Sequence, residues 1–195
     1  MQLLKDKIAI VTGGSSGIGE AAAKLYVQEG ACVVVADIAV EKGEAVVHEI
    51  INNGGEAIFV KTDVSKAEEI ERLVKETIKK YGKLDVAFNN AGMASKTIPI
   101  VEYPIEAWEK CVRINLFSIF YCAHYQIPEM LKNGGGAIVN TASMMARIAA
   151  FGNSPYVAAK HGIAGFTKSI AVEYGKQGIR ANAIAPGVIA PPNAL

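Results

Sequence analysis

Tyr156 and Lys160 stand four residues apart in a segment of helical spacing, so both side chains project from one face of a helix, one turn apart. The spacing alone is a weak signal, and the chemistry gives it weight. A phenol of ordinary pKa about 10 needs its anion favoured by roughly 4 kcal/mol to exchange protons near neutrality. One ammonium at ~4 Å in an effective dielectric of ~20 supplies about that much. Lys160 is therefore read as the activator of a general acid/base, Tyr156. Ser143 lies thirteen positions before Tyr156, just past an apolar run, where it either closes its own turn or faces a ligand. Asn115 is four residues from both Cys111 and Ile119, which puts an amide on the apolar stripe of its helix. A buried amide needs partners, so Asn115 either braces neighbouring backbone or holds a water.

A second constellation opens the chain. The apolar run Ile8 to Val11 leads directly into Thr12-Gly13-Gly14-Ser15-Ser16-Gly17-Ile18-Gly19 and then a helical segment. Glycines there let a pyrophosphate approach main-chain N–H groups at a helix N-terminus, where the dipole favours anions. Gly17, Gly19 and Ala22 also fit the dinucleotide spacing G-x-G-x-x-G/A. The loop lacks the Gly-Lys-Ser/Thr of nucleoside triphosphatases. Asp37 closes the second apolar run, eighteen positions after Gly19, close to the ~20 at which an acid takes the adenosine ribose hydroxyls of NAD. Its alternative is to cap the helical segment that starts near Val40. No Arg or Lys stands at Ser15-Ser16 or Ile38-Ala39 to receive a 2′-phosphate, so NAD is favoured over NADP.

The elements that must position these residues alternate along the chain. Short β-branched runs fall at Ile8–Val11, Val33–Ala36, Ala57–Val60, Leu84–Phe88, Ala137–Asn140 and Ala181–Ala185. Helical spacing falls at Gly17–Glu29, Val40–Asn52, Lys66–Tyr81, Pro104–Leu131 and Tyr156–Tyr174, with glycines just after each segment. The strands are apolar nearly throughout, as parallel strands covered on both faces are. The expected fold is α/β, a doubly wound Rossmann domain with a parallel sheet of six strands, in one domain over residues 1–195. Its ligands belong beyond the C-terminal strand ends.

Composition agrees and excludes other classes. The chain has 195 residues, 51% of them hydrophobic and only 20% charged, which rules out disorder as its main state. A formal net charge of +1 without runs of either sign leaves no footprint for nucleic acid. Lys5 interrupts the N-terminus before any signal-like stretch, and no run reaches the ~18 apolar residues of a membrane helix. A cytoplasmic protein is expected, with Cys32, Cys111 and Cys122 reduced. His48, His124 and His161 have no metal-ligand spacing, and no metal is expected. Trp108, Phe117 and Phe120 read as core or subunit interface, and the Lys66–Lys80 stretch as a solvated helix face.

Thr12-Gly13-x-x-x-Gly17-x-Gly19, Asp63-Val64, Asn89-Asn90-Ala91-Gly92, Asn115, Ser143, Tyr156-x-x-x-Lys160 and Pro186-Gly187 together resemble the short-chain dehydrogenase/reductase family, in its order and spacing. The glycine loop is similar to that of the family's dehydrogenase branch. The resemblance implies that Tyr156 is the acid/base at the substrate oxygen and that Ser143 orients and polarises that oxygen. It implies that Lys160 lowers the tyrosine pKa and bonds the nicotinamide ribose, and that Asn115 holds a water in a proton relay. Asp63 and Val64 would flank the adenine, Asn89, Ala91 and Gly92 would border the cofactor, and Pro186, Gly187, Val188 and Ile189 would complete its nicotinamide side. Hydride transfer belongs to the nicotinamide.

Family dehydrogenases usually continue for some tens of residues past the Pro-Gly motif, with a substrate lid and a seventh strand; this chain stops at Leu195 and is expected to lack both. It also carries Ala190, Pro191 and Pro192 where members commonly place a threonine. The expected substrate is a hydrophobic or cyclic secondary alcohol or ketone, on the apolar character of Met93-Ala94 and Met144–Ile148. The alternatives are a ketoacyl carrier-protein reductase using NADPH, which Asp37 disfavours, and an NAD-binding protein with little activity. A homodimer or homotetramer is expected through the apolar segments 104–131 and 156–174.

Overall fold

In the computed structural model, which describes residues 2–189, six parallel strands form one sheet: β1 (Ile8–Thr12), β2 (Cys32–Asp37), β3 (Ala57–Lys61), β4 (Val86–Asn89), β5 (Gly136–Thr141) and β6 (Ile179–Ile184). Ala190, Pro191 and Pro192 lie outside the described residues. The helices are α1 (Gly17–Gln28), α2 (Val40–Asn52), α3 (Ala67–Tyr81), α4 (Ile105–Val112), α5 (Ser118–Lys132) and α6 (Ser154–Tyr174). β1, β2 and β3 are rich in Val and Ile, whereas β4 (VAFN) and β6 (IRANAI) carry fewer β-branched residues. Gly82 stops α3 in a left-handed cap with φ 78°, a conformation that costs a side-chain-bearing residue but not glycine.

Alternate residues of the central strands point to opposite faces, and both faces are covered. Ala9, Val11, Val33 and Val35 pack against Ala23 of α1 and Val46, Val47 and Ile50 of α2. Ile10, Val34 and Ile138 pack against Leu73 of α3, Ala123, Ile127 and Met130 of α5 and Ile170 of α6. All five residues of β1 are buried, and Ile8, Ile10 and Val11 each contribute up to about 1.5–3 kcal/mol of transfer free energy.

The strand order is β3-β2-β1-β4-β5-β6. The connection reverses direction between β1 and β4, which leaves a crevice beyond their C-terminal ends. At the far edge β6 pairs only with β5 among the described residues. The single helix expected over Pro104–Leu131 is instead two helices joined by a five-residue π turn, Arg113–Phe117. Such wide turns cannot be seen in apolar spacing, because they shift the stripe by only one position.

Candidate active site

The crevice is a cleft of about 630 Å³ above the β1 and β4 ends. At one end it is walled by Gly13, Ser15, Ser16, Gly17, Ile18, Asp37, Ile38, Asp63 and Val64, and at the other by Ala91, Gly92, Asn115, Tyr156 and Lys160. Residues named from the two sequence constellations therefore meet in one cavity. Asn89 sits below it, wholly buried in the sheet. Ser143 and residues 186–189 are not part of the cleft wall.

The glycine loop is shaped by contacts no larger residue allows. A Cβ on Gly19 would overlap the Gly13 carbonyl oxygen, and Gly13, at φ +65°, would press a Cβ to 2.9 Å from Ala91 Cα. Gly17, also left-handed at φ +55°, has nothing within 4 Å of where a Cβ would be, so that space belongs to the cleft. No side chain caps α1, and its first-turn N–H groups border the cavity. These features fit the pyrophosphate of a dinucleotide.

Asp37 ties this loop to β2. One carboxylate oxygen accepts the Ser15 N–H at 3.2 Å and the other the Ala39 N–H at 3.0 Å, whereas the N-cap of α2 is Ala39, without a side-chain cap. Lys42, on the first turn of α2, lines the cleft beside Asp37 and Ile38. Sequence reasoning missed it, since the search for base stopped at Ala39. Asp63 accepts from the Ser65 hydroxyl at 2.7 Å and N–H at 3.0 Å. Burial works to raise the Asp63 carboxyl, but the Ser65 bonds and the Lys66 ammonium outweigh it and hold it below the usual value.

At the other end, Asn115 is fully buried in the middle of the π turn. Its amide donates to the Met93 and Cys111 carbonyls, both at 2.9 Å, and its oxygen accepts the Met93 N–H at 3.3 Å. Of the two readings of this amide, backbone bracing is the one its contacts display. A Cβ on Gly92 would come within 2.8 Å of the Asn115 oxygen, so glycine lets the loop close on the amide.

Lys160 is 3% exposed, and its ammonium donates to the Thr141 carbonyl at 2.7 Å. The same ammonium lies 5.3 Å from the centre of the half-buried Tyr156 ring. Burial pushes the Lys160 pKa from 10.5 down to about 8, with the nearby Cys111 acting weakly the other way. Ser143 starts the short turn after β5, its hydroxyl accepting the Met145 N–H at 3.2 Å. The Met144 N–H donates to the Pro186 carbonyl at 2.9 Å, which anchors the Pro186-Gly187 segment beside Ser143; Val188 and Ile189 are exposed.

Other residues emerge only in three dimensions. The Thr12 hydroxyl accepts the N–H groups of Asn90 and Ala91 at 3.0 and 3.1 Å, and Thr141 donates to the Asn90 side-chain oxygen at 3.2 Å, which stitches the glycine loop, β4 and β5 together. Thr12 and Asn90 were visible as parts of motifs, but nothing in the sequence pairs them across 78 positions. Among the described residues no group of three or more His, Cys, Asp or Glu is arranged to hold a metal ion.

A parallel sheet in this order, with a glycine loop, a carboxylate and an uncapped helix terminus at its switch point, defines a dinucleotide-binding Rossmann domain. The chain belongs to the short-chain dehydrogenase family, whose model matches residues 7–194. It is 43% identical over 187 residues to a cyclohexanol dehydrogenase of Acinetobacter sp. (strain SE19), covering 96% of this chain and 74% of that one. It is 42% identical over 193 residues to a 2,5-dichloro-2,5-cyclohexadiene-1,4-diol dehydrogenase of Sphingobium indicum, covering 98% and 76%. A 3-oxoacyl-[acyl-carrier-protein] reductase of Synechocystis sp. is 40% identical over 191 residues, covering 97% and 77%. As a member of this family the chain is an oxidoreductase that works with a nicotinamide cofactor.

Proposed function

We propose that the protein transfers a hydride between NAD(H) and a small secondary alcohol or ketone, with Tyr156 as general acid/base. The observation that carries this reading is the convergence of Tyr156, Lys160 and Asn115 at one end of a cleft whose other end is the glycine loop and Asp37. The dinucleotide would lie along the cleft, with its pyrophosphate on the α1 terminus between Ser15 and Gly19, its adenosine ribose at Asp37 and Ile38, and its adenine by Asp63 and Val64. Ala91, Gly92 and residues 186–189 would flank the nicotinamide half. Asp37 favours NAD because its carboxylate repels a 2′-phosphate.

When bound, the nicotinamide supplies the hydride acceptor or donor. Tyr156 takes the hydroxyl proton as the alcohol is oxidised and returns it on reduction. Lys160 stabilises the phenolate and holds the nicotinamide ribose. Ser143 orients the substrate oxygen once its hydroxyl turns from the Met145 N–H, and Asn115 keeps the loop at Gly92 and Met93 in place beside the reacting atoms.

Met93 and Ala94 give the Tyr156 end of the cleft an apolar lining, in keeping with the cyclic alcohols named for two relatives. A carrier-protein-linked ketoacyl reductase using NADPH is disfavoured by Asp37. We further propose a cytoplasmic homo-oligomer, supported by an apolar groove of about 480 Å³ over Leu116, Phe117, Phe120, Tyr121, Gly162 and Phe166. No helix among the described residues is long and apolar enough to cross a membrane.

The test is the nicotinamide absorbance over a panel of cyclic and linear alcohols and ketones, run beside calorimetric titrations with NAD and NADP. Turnover of cyclic secondary alcohols with NAD supports the reading; turnover of ketoacyl thioesters with NADPH alone contradicts it.

A further inference from the structure

Beneath the site runs a chain of buried polar side chains that the mechanism does not use. Asn89 of β4, Asn140 of β5, Gln126 of α5 and Thr167 of α6 are 0%, 0%, 0% and 3% exposed. Thr167 donates its single hydroxyl proton to the Ile163 carbonyl at 2.7 Å. Toward Asn140 it can only accept, and the Asn140 amide donates to it at 2.9 Å. That fixes the orientation of Asn140, whose oxygen accepts from the Asn89 amide at 3.0 Å. Asn89 gives its other hydrogen to the Gln126 oxygen at 3.1 Å and takes a bond back from the Gln126 amide at 2.9 Å. Every amide in the chain has one permitted orientation.

The consequence concerns register. Apolar contacts between α6 and the sheet, such as those of Ile170, tolerate small slides, but an orphaned buried amide or hydroxyl costs about 1–3 kcal/mol. The Asn140–Thr167 bond therefore sets the height of α6 against β5. Asn140 adjoins Thr141, whose carbonyl receives the Lys160 ammonium, and Lys160 lies two turns before Thr167 on the same helix face. That bond to Thr141 is the one hydrogen bond the Lys160 ammonium makes among the described residues.

We infer that Thr167 is a positioning residue for Lys160 and Tyr156, acting through the Asn140 amide to hold α6 where the Lys160 ammonium meets the Thr141 carbonyl. The inference rests on the role proposed for Lys160. The titratable groups that face the ammonium are Cys111 and Tyr156. In a low-dielectric site held by a single acceptor, a shift of this register weakens the bond that favours the charged form.

The test compares Thr167→Val, which keeps the shape without the hydroxyl, with Thr167→Ser, which keeps the hydroxyl. In Thr167→Val, turnover falls about 10-fold, the cost expected of a slight misplacement, with a smaller loss of NAD affinity because the displaced Lys160 also serves the nicotinamide ribose. The Lys160 titration in the free protein, followed by nitrogen NMR of labelled lysine, moves to lower pH. Thr167→Ser restores both. If Thr167→Val aggregates, Thr167→Cys, similar in shape with a weaker hydrogen-bonding group, carries the same comparison. Parental turnover and an unmoved Lys160 titration in a folded Thr167→Val protein overturn the inference. So does equal loss of melting temperature in both variants with neither readout changed. If Lys160→Met leaves turnover intact, the role of Lys160 falls instead, and the lysine titration still decides whether Thr167 positions it.

Discussion

Lys160 is a cation held out of water with no carboxylate beside it among the described residues, an arrangement that costs the free protein stability. Its pKa is lowered to about 8 in the fold against 10.5 in an unfolded chain, so between those values the unfolded state binds more protons. Stability from this group is therefore lowest below pH 8 and recovers as pH rises toward 10.5. The effect is on the order of 3 kcal/mol. In parallel denaturation of the parent and Lys160→Met, the stability advantage of the variant should shrink by about 3 kcal/mol between neutral pH and 10.5. A difference that stays flat with pH contradicts the assignment of a buried, unpaired ammonium. Taking the difference cancels the Cys122 thiol, which burial raises and which acts in the opposite sense at alkaline pH. At the adenosine end, Asp37→Ala with Ile38→Arg should move preference to NADP by about 2–3 kcal/mol, read by calorimetry with both dinucleotides. Lys42 already lines that wall, so whatever affinity the parent has for NADP should fall in Lys42→Met. If the parent binds both cofactors equally, Asp37 does not select.

At the scale of elements, the glycine loop is the junction on which the cofactor half depends. Gly19→Ala puts a methyl group into the Gly13 carbonyl, so either the loop or the start of α1 must shift. The expected result is loss of NAD binding by about 100-fold or more with the far-UV dichroism retained, since the contact that breaks lies within the loop bordering the cleft and not in the hydrophobic core. Unchanged affinity contradicts the placement of the pyrophosphate.

The alternating elements were legible in the chain because parallel strands read as apolar runs and glycines punctuate the helices. The two constellations were legible for the same reason: each is local, spanning a loop or a helix turn. What was not legible is long-range. The π turn, the pairing of Thr12 with Asn90 and the chain from Asn89 through Asn140 to Thr167 join residues 27 to 78 positions apart, or shift a stripe by one place. Asn140 read simply as the end of a strand, and Thr167 and Gln126 as unremarked helix positions. Ser143 shows the limit differently: its motif position was clear, yet its hydroxyl is turned into its own loop.

For the whole molecule, one exposed apolar patch lies on the π turn, α5 and α6. Phe117 and Phe120 are 42% and 50% exposed beside Tyr121 and Phe166, an aromatic cluster that water covers poorly. An oligomer built there predicts that the parent sediments as a dimer or tetramer at micromolar concentration. Phe120→Glu, which places a charge in the groove, should shift the protein to monomer with a loss of about 2 kcal/mol or more of association energy. A monomeric parent contradicts the interface.

In the proposed reaction Tyr156 moves the proton while the nicotinamide moves the hydride. This division is tested most directly by following nicotinamide absorbance with a cyclic secondary alcohol for the parent and for Tyr156→Phe, alongside calorimetric NAD titration of both. The variant is expected to lose turnover by about 10²–10⁴-fold while its NAD affinity stays within about 2-fold of the parent. Turnover in Tyr156→Phe close to that of the parent would contradict this division and assign the proton to another group.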